Sequence, residues 1–131
     1  MNKKFNVSVL GGGSFGTVLA NLSAKNGLDT YLWVRDSELA LKINSESANR
    51  EYHPELKLSK KIFASEVLSE CVCNADLIFI ATPSSIIENV IDRIKPHIKG
   101  DVVLISCTKG LINDPTRTIT DYIKAVSYTH L

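Results

Sequence analysis

The sequence predicts an α/β domain built on a doubly wound parallel sheet, and three observations carry that expectation. Short apolar runs alternate with amphipathic helical patterns along the whole 131-residue chain. The connections between them are short. The first apolar run passes into a glycine cluster, "VSVLGGGSFGTVLA" (7–20), that opens a helical pattern. Strict alternation joins parallel strands through right-handed crossovers, so helices cover both faces of one open sheet.

The expected strands are "NVSVL" (6–10), "TYLWV" (30–34), a weaker "KIFA" (61–64), "LIFIAT" (77–82) and "DVVLIS" (101–106). All are rich in β-branched or aromatic residues, and the last two are apolar at nearly every position, as in strands buried on both faces. Helices are expected after Phe15, after Asp36 and around Glu66 to Val72. A fourth covers "SIIENVIDRI", where Ser85 and Glu88 have capping-box spacing. Ile86, Ile87, Val90, Ile91 and Ile94 form its apolar stripe, and Pro96 stops it. A fifth begins with Asp114 as N-cap and Pro115 as its first residue, with Ile119, Tyr122, Ile123 and Val126 on one face.

Ligands of such sheets bind outside the carboxyl ends of the strands, near the switch in strand order. After the first strand, Gly11, Gly13 and Gly16 hold the G-x-G-x-x-G spacing. The first allows a tight turn, the second close approach of a pyrophosphate, and the third close packing of helix on strand. The helix then directs its free amides and positive dipole end at phosphate. After the second strand, Arg35 lies where such folds read the adenosine ribose. An arginine there can stack on adenine and hold a 2′-phosphate, whereas the adjacent Asp36 pulls towards NAD, so the pair leaves the preference open and NADP accepted. After the fourth strand, Pro83 ends the run without an amide hydrogen to satisfy. After the fifth, Lys109 stands at the sheet edge, where a phosphate or carbonyl substrate could meet a nicotinamide, with Gly110 behind it.

Bulk composition narrows the classes. Fifteen basic against 14 acidic residues leave a net charge of +1, which offers no electrostatic footprint for nucleic acid or an acidic membrane. No apolar run reaches the roughly 18 residues of a membrane span, and "MNKKF" leads into a strand-like segment, so a cytoplasmic protein is expected. Cys71, Cys73 and Cys107 read as buried free thiols. With His53, His97 and His130 they make no metal-ligand pattern.

With these residues in place, the chain resembles the N-terminal domain of the bacterial NAD(P)-dependent glycerol-3-phosphate dehydrogenases. The matching stretches are "GGGSFGTVLA" against the usual G-A-G-S-[WF]-G-T-A-L-A, "LWVRD", "NREYHP" against N-x-x-Y-x-P, the "TPS" turn and "TKG". The resemblance implies a Rossmann-like doubly wound parallel sheet, truncated after about five strands. It implies an NAD(P)-binding domain over 1–126, a tail outside the family pattern or a truncation scar over 127–131, and no helical substrate domain. It further implies that Gly11, Gly13, Ser14, Phe15, Gly16, Arg35, Tyr52, Pro83 and Lys109 meet NADP or NAD, with Lys109 also touching substrate. Gly12 stands where the family has alanine and is expected to loosen the turn slightly. His53 replaces an apolar residue, and Ser59 a proline.

The family's reaction is reversible reduction of dihydroxyacetone phosphate to glycerol 3-phosphate for phospholipid synthesis, and full-length members are expected to be homodimers. The catalytic lysine belongs to the helical domain, so no catalytic residue is expected in this chain, which should bind cofactor weakly and turn over no substrate. The apolar "VVLIS" is then expected to be an uncovered sheet edge prone to self-association. Two other readings stand beside this one: a stand-alone NAD(P)-sensing module, and a hydroxyacid or ketopantoate-type reductase. "NREYHP" and "TKG" argue against the reductase.

Overall fold

The computed structural model describes residues 5–107, 111–112 and 117–118. Five parallel strands, β1 (Asn6–Leu10), β2 (Asp29–Trp33), β3 (Ile62–Ser65), β4 (Leu77–Ile80) and β5 (Val103–Ser106), form one sheet in the order β3-β2-β1-β4-β5. Chain order reverses at β1, which pairs Leu10 with Trp33 of β2 on one side and with Ile80 of β4 on the other.

Alternation along β1 sorts the core into two layers. Val7 and Val9 pack with Ala20 and Ala24 of α1 (Ser14–Lys25) and with Ala40 and Ile43 of α2 (Ser37–Glu46). Leu10 packs on the opposite face with Leu68, Cys71 and Val72 of α3 (Leu68–Val72) and with Ile87, Val90, Ile91 and Ile94 of α4 (Ile87–Ile94). Helices on both faces of a parallel sheet, with strand order 3-2-1-4-5, are the Rossmann-like arrangement expected. Asp36 starts α2 by accepting a hydrogen bond from the Glu38 amide at 2.9 Å. At the β3 edge, the Asn44 amide both donates to the Ala64 carbonyl and accepts from the Ala64 amide, each at 2.8 Å, and so stands in for a neighbouring strand.

Four expectations need correction. The Ser85–Glu88 capping box does not form. Pro83 leads into a 3-10 turn, Ser84–Ile86, so α4 begins at Ile87 with Ile86 as an N-cap that has no side-chain bond. β5 is not buried on both faces. Leu104 packs on the α3/α4 layer, while Val103 and Ile105, directed to the other side, are 54% and 39% exposed because α1 covers β1 and β2 instead. Of the cysteines only Cys71 is buried. Cys73 is exposed, since two residues along a helix lie on opposite sides. Finally, Arg117–Thr118 (β7) pairs antiparallel with Leu111–Ile112 (β6) where helix was expected, in keeping with the β-branched content of "TRTIT". The rest of that expected helix, with Asp114, Pro115 and the 127–131 tail, lies outside the described residues.

Candidate functional site

The carboxyl ends of β1, β4 and β5 stay laddered one residue past their last. The Gly11 amide donates to the Trp33 carbonyl at 3.0 Å, the Ala81 amide to Leu10 at 2.9 Å, and the Cys107 amide to Ile80 at 2.8 Å. Above them opens a cleft of about 770 Å³, within the usual range for ligand sites. Its floor is Gly11, Gly12 and Gly13 with Ala81 and Thr82. Phe15, Pro83 and Ile86 line it, together with Trp33, Val34, Arg35, Asp36 and Leu39 from the β2–α2 junction. Glu51, Tyr52 and Cys107 complete it.

The glycines have separate geometric roles. Gly11 has φ +123°, which side chains rarely adopt, and a Cβ there would lie 2.7 Å from the Ala81 carbonyl oxygen. A Cβ on Gly16 would lie 1.8 Å from the Gly11 carbonyl oxygen, so α1 presses on the turn at this point. Gly13 is different: a Cβ there meets no protein atom within 4 Å, leaving its side of the cleft open to a ligand. Gly12 faces a filled space. A Cβ on it would fall 2.3 Å from Val34 Cγ1, so the valine fills the space an alanine methyl would take.

Gly13 is also the N-cap of α1, and with no side chain it leaves the first amides of the helix without a side-chain acceptor. Uncapped amides at the positive end of a helix, beside an open glycine and under a cleft, suit the diphosphate of a dinucleotide. Arg35 is exposed at the end of β2, within the same cleft. Asp36 lines the cleft beside it, and its Oδ1 caps α2. Partial burial raises the Cys107 thiol above its ordinary pKa.

The structure therefore gathers Gly11, Gly13, Phe15, Arg35, Tyr52 and Pro83 into one cleft. Gly16 lies beneath it, and Ser14 is turned to His53, whose Nε2 is 3.1 Å from Ser14 Oγ and 2.8 Å from the Ser14 carbonyl oxygen. Lys109 and Gly110 lie outside the described residues. The sequence reading missed Leu39, Ile86 and Glu51, whose places depend on how α2 and the segment after it fold over the turn. It also missed Asn49, wholly buried, whose Nδ2 donates to the Gly12 carbonyl and to Thr17 Oγ1, both at 2.9 Å. Among the described residues no group of His, Cys, Asp and Glu is arranged to hold a metal, and no helix is long and apolar enough to cross a membrane.

Fold and site together define a dinucleotide-binding domain of the Rossmann-like class. The particular family follows from comparison. The sequence profile of the NAD-dependent glycerol-3-phosphate dehydrogenase N-terminus matches residues 6–131, and the chain belongs to that family. The glycerol-3-phosphate dehydrogenase (NAD(P)+) of Acinetobacter baumannii strain SDF is 41% identical over 118 residues, covering 90% of this chain and 33% of that protein. The solved glycerol-3-phosphate dehydrogenase of Coxiella burnetii superposes with TM-score 0.81 at 29% identity, over 98% of this chain and 38% of that one. The Saccharomyces cerevisiae enzyme gives 0.85 at 27%, over 95% and 39%. The chain thus spans about a third of the length of the curated relatives it matches.

Proposed function

We propose that the chain binds NAD(P)H across the carboxyl edge of its sheet, as the cofactor portion of a glycerol-3-phosphate dehydrogenase. The observation that carries this reading is the uncapped start of α1, with Gly13 open beside it, facing the cleft that Arg35 shares. In this reading the first amides of α1 and Ser14 take the diphosphate, Phe15 packs beside it, Arg35 meets the adenosine end, and Tyr52 and Pro83 close the flanks. Lys109, by resemblance, meets both cofactor and substrate.

The dinucleotide supplies the hydride, and the residues here bind and orient it. The whole enzyme would reversibly reduce dihydroxyacetone phosphate to glycerol 3-phosphate for phospholipid synthesis, in the cytoplasm and as a homodimer. The proton for the carbonyl oxygen would come from a lysine beyond this chain, in the helical domain. Residues 1–126 would then form the cofactor domain, weakly binding and inactive by itself.

Titration of the chain with NADPH and NADH, followed by nicotinamide fluorescence, should show saturable binding of at least one. Substrate-dependent NADPH oxidation by the same polypeptide should be undetectable. Absence of binding by either dinucleotide refutes the cofactor reading, and measurable turnover refutes the inactivity.

A further inference from the structure

We propose that His53 is a positioning residue of this site, a latch that fastens the segment after α2 to the first turn of α1 and presents the Ser14 hydroxyl as an outward donor. The inference rests on the dinucleotide reading above.

A carbonyl oxygen can only accept, so the 2.8 Å contact between His53 Nε2 and the Ser14 carbonyl places a hydrogen on Nε2. The same N–H is 3.1 Å from Ser14 Oγ, where it occupies a lone pair of the hydroxyl. The serine's own proton is then directed elsewhere, and Ser14 lies between Gly13 and Phe15, both of which line the cleft. A hydroxyl held as acceptor on one side is prepared to donate to a phosphate oxygen on the other.

The latch is also one of two anchors that flank residues 50–52. The Asn49 side chain anchors the near end of the segment to Gly12 and Thr17, and the Asn49 carbonyl accepts from the amides of Tyr52 at 3.2 Å and His53 at 2.8 Å. His53 pins the far end to α1. Between the two anchors lie Glu51 and Tyr52, the residues of this segment that line the cleft, with Tyr52 47% exposed. With the His53 anchor removed, residues 50–52 keep Asn49 on one side, while the next tie of the segment to α1 is the Ser59 amide on Asn21 Oδ1 at 2.9 Å, and the Ser14 hydroxyl is free to turn back on its own helix.

The test compares NADPH dissociation constants for the parent chain, His53→Leu, His53→Gln, Ser14→Ala and the His53→Leu/Ser14→Ala pair, with folding of each checked by circular dichroism. His53→Leu should weaken binding about tenfold, which corresponds to about 1.4 kcal/mol. His53→Gln offers an N–H to the same acceptors and should stay within about threefold of the parent. On the Ser14→Ala background His53→Leu should cost less than about threefold, because the hydroxyl it orients is gone. Parent-like binding by His53→Leu overturns the latch, as does failure of His53→Gln to rescue or an equal effect in both backgrounds. A ligand-free readout stands apart: long-range proton–nitrogen spectra should show the Nε2–H form of His53, and the Nδ1–H tautomer overturns the proposal. A parent that binds neither dinucleotide refutes the cofactor reading instead, and the tautomer then decides the latch by itself.

Discussion

Replacing Gly16 with alanine should damage stability and binding together, whereas Gly13→Ala should damage binding with a smaller loss of stability. A methyl on Gly16 would stand 1.8 Å from the Gly11 carbonyl oxygen, where an ordinary carbon–oxygen approach is about 3.3 Å. The start of α1 must therefore withdraw by about 1.5 Å, or the positive-φ turn at Gly11 must break. Overpacking of this kind costs about 3 kcal/mol, and the better helix propensity of alanine returns about 1 kcal/mol. The net loss of about 2 kcal/mol should lower Tm by about 8 °C. As the first amides of α1 retreat from the cleft, NADPH affinity should fall by at least about tenfold. Gly13→Ala meets no protein atom and should cost at most about 1 kcal/mol through the N-cap, yet its methyl takes ligand space. Thermal melts and fluorescence titration of both variants decide the matter. A Gly16→Ala protein with parental Tm and affinity, or a Gly13→Ala protein as destabilised as Gly16→Ala, would refute the division of roles.

Four further outcomes follow from the structure. Gly12→Ala should destabilise by about 1–3 kcal/mol against the stiff Val34 side chain, and adding Val34→Ala should recover part of the loss, with a non-additivity of about 1 kcal/mol in denaturant melts. Asn44→Ala removes the side chain that pairs both backbone groups of Ala64 and should cost about 1–2 kcal/mol in the same melts. Burial, with a smaller push from Glu70, raises the Cys71 thiol to about 12, so the unfolded chain releases that proton first as pH rises past 9. Stability attributable to Cys71 should hold below pH 9 and decline up to pH 12, by no more than about 1.4 kcal/mol per pH unit, and Cys71→Ala should flatten that decline. A maleimide probe followed by peptide mapping should label Cys73 well before Cys71.

How far the sequence reached is clearest at the elements themselves. The parallel strands were legible within one or two residues, because β-branched apolar runs between turn residues have few other uses. The doubly wound architecture followed from alternation alone. Local chemistry misled where tertiary context outweighed it. Ser85 had cap spacing, but Pro83 imposed a 3-10 turn that moved the helix start to Ile87. β5 is composed like a central strand, yet Val103 and Ile105 face away from the helices that cover its other side.

The glycine turn, Arg35 and the position of the cleft at the reversal of strand order were determined by the sequence, since each depends on residue type next to a strand end. Tertiary structure decided what the turn is fitted to. Only through space do Gly12 and Val34 share one volume, does Asp36 turn out to cap α2, and do Asn49 and His53 reach back 37 and 39 residues to hold the start of α1. Those contacts join segments far apart in the chain, and no local period or spacing encodes such distances.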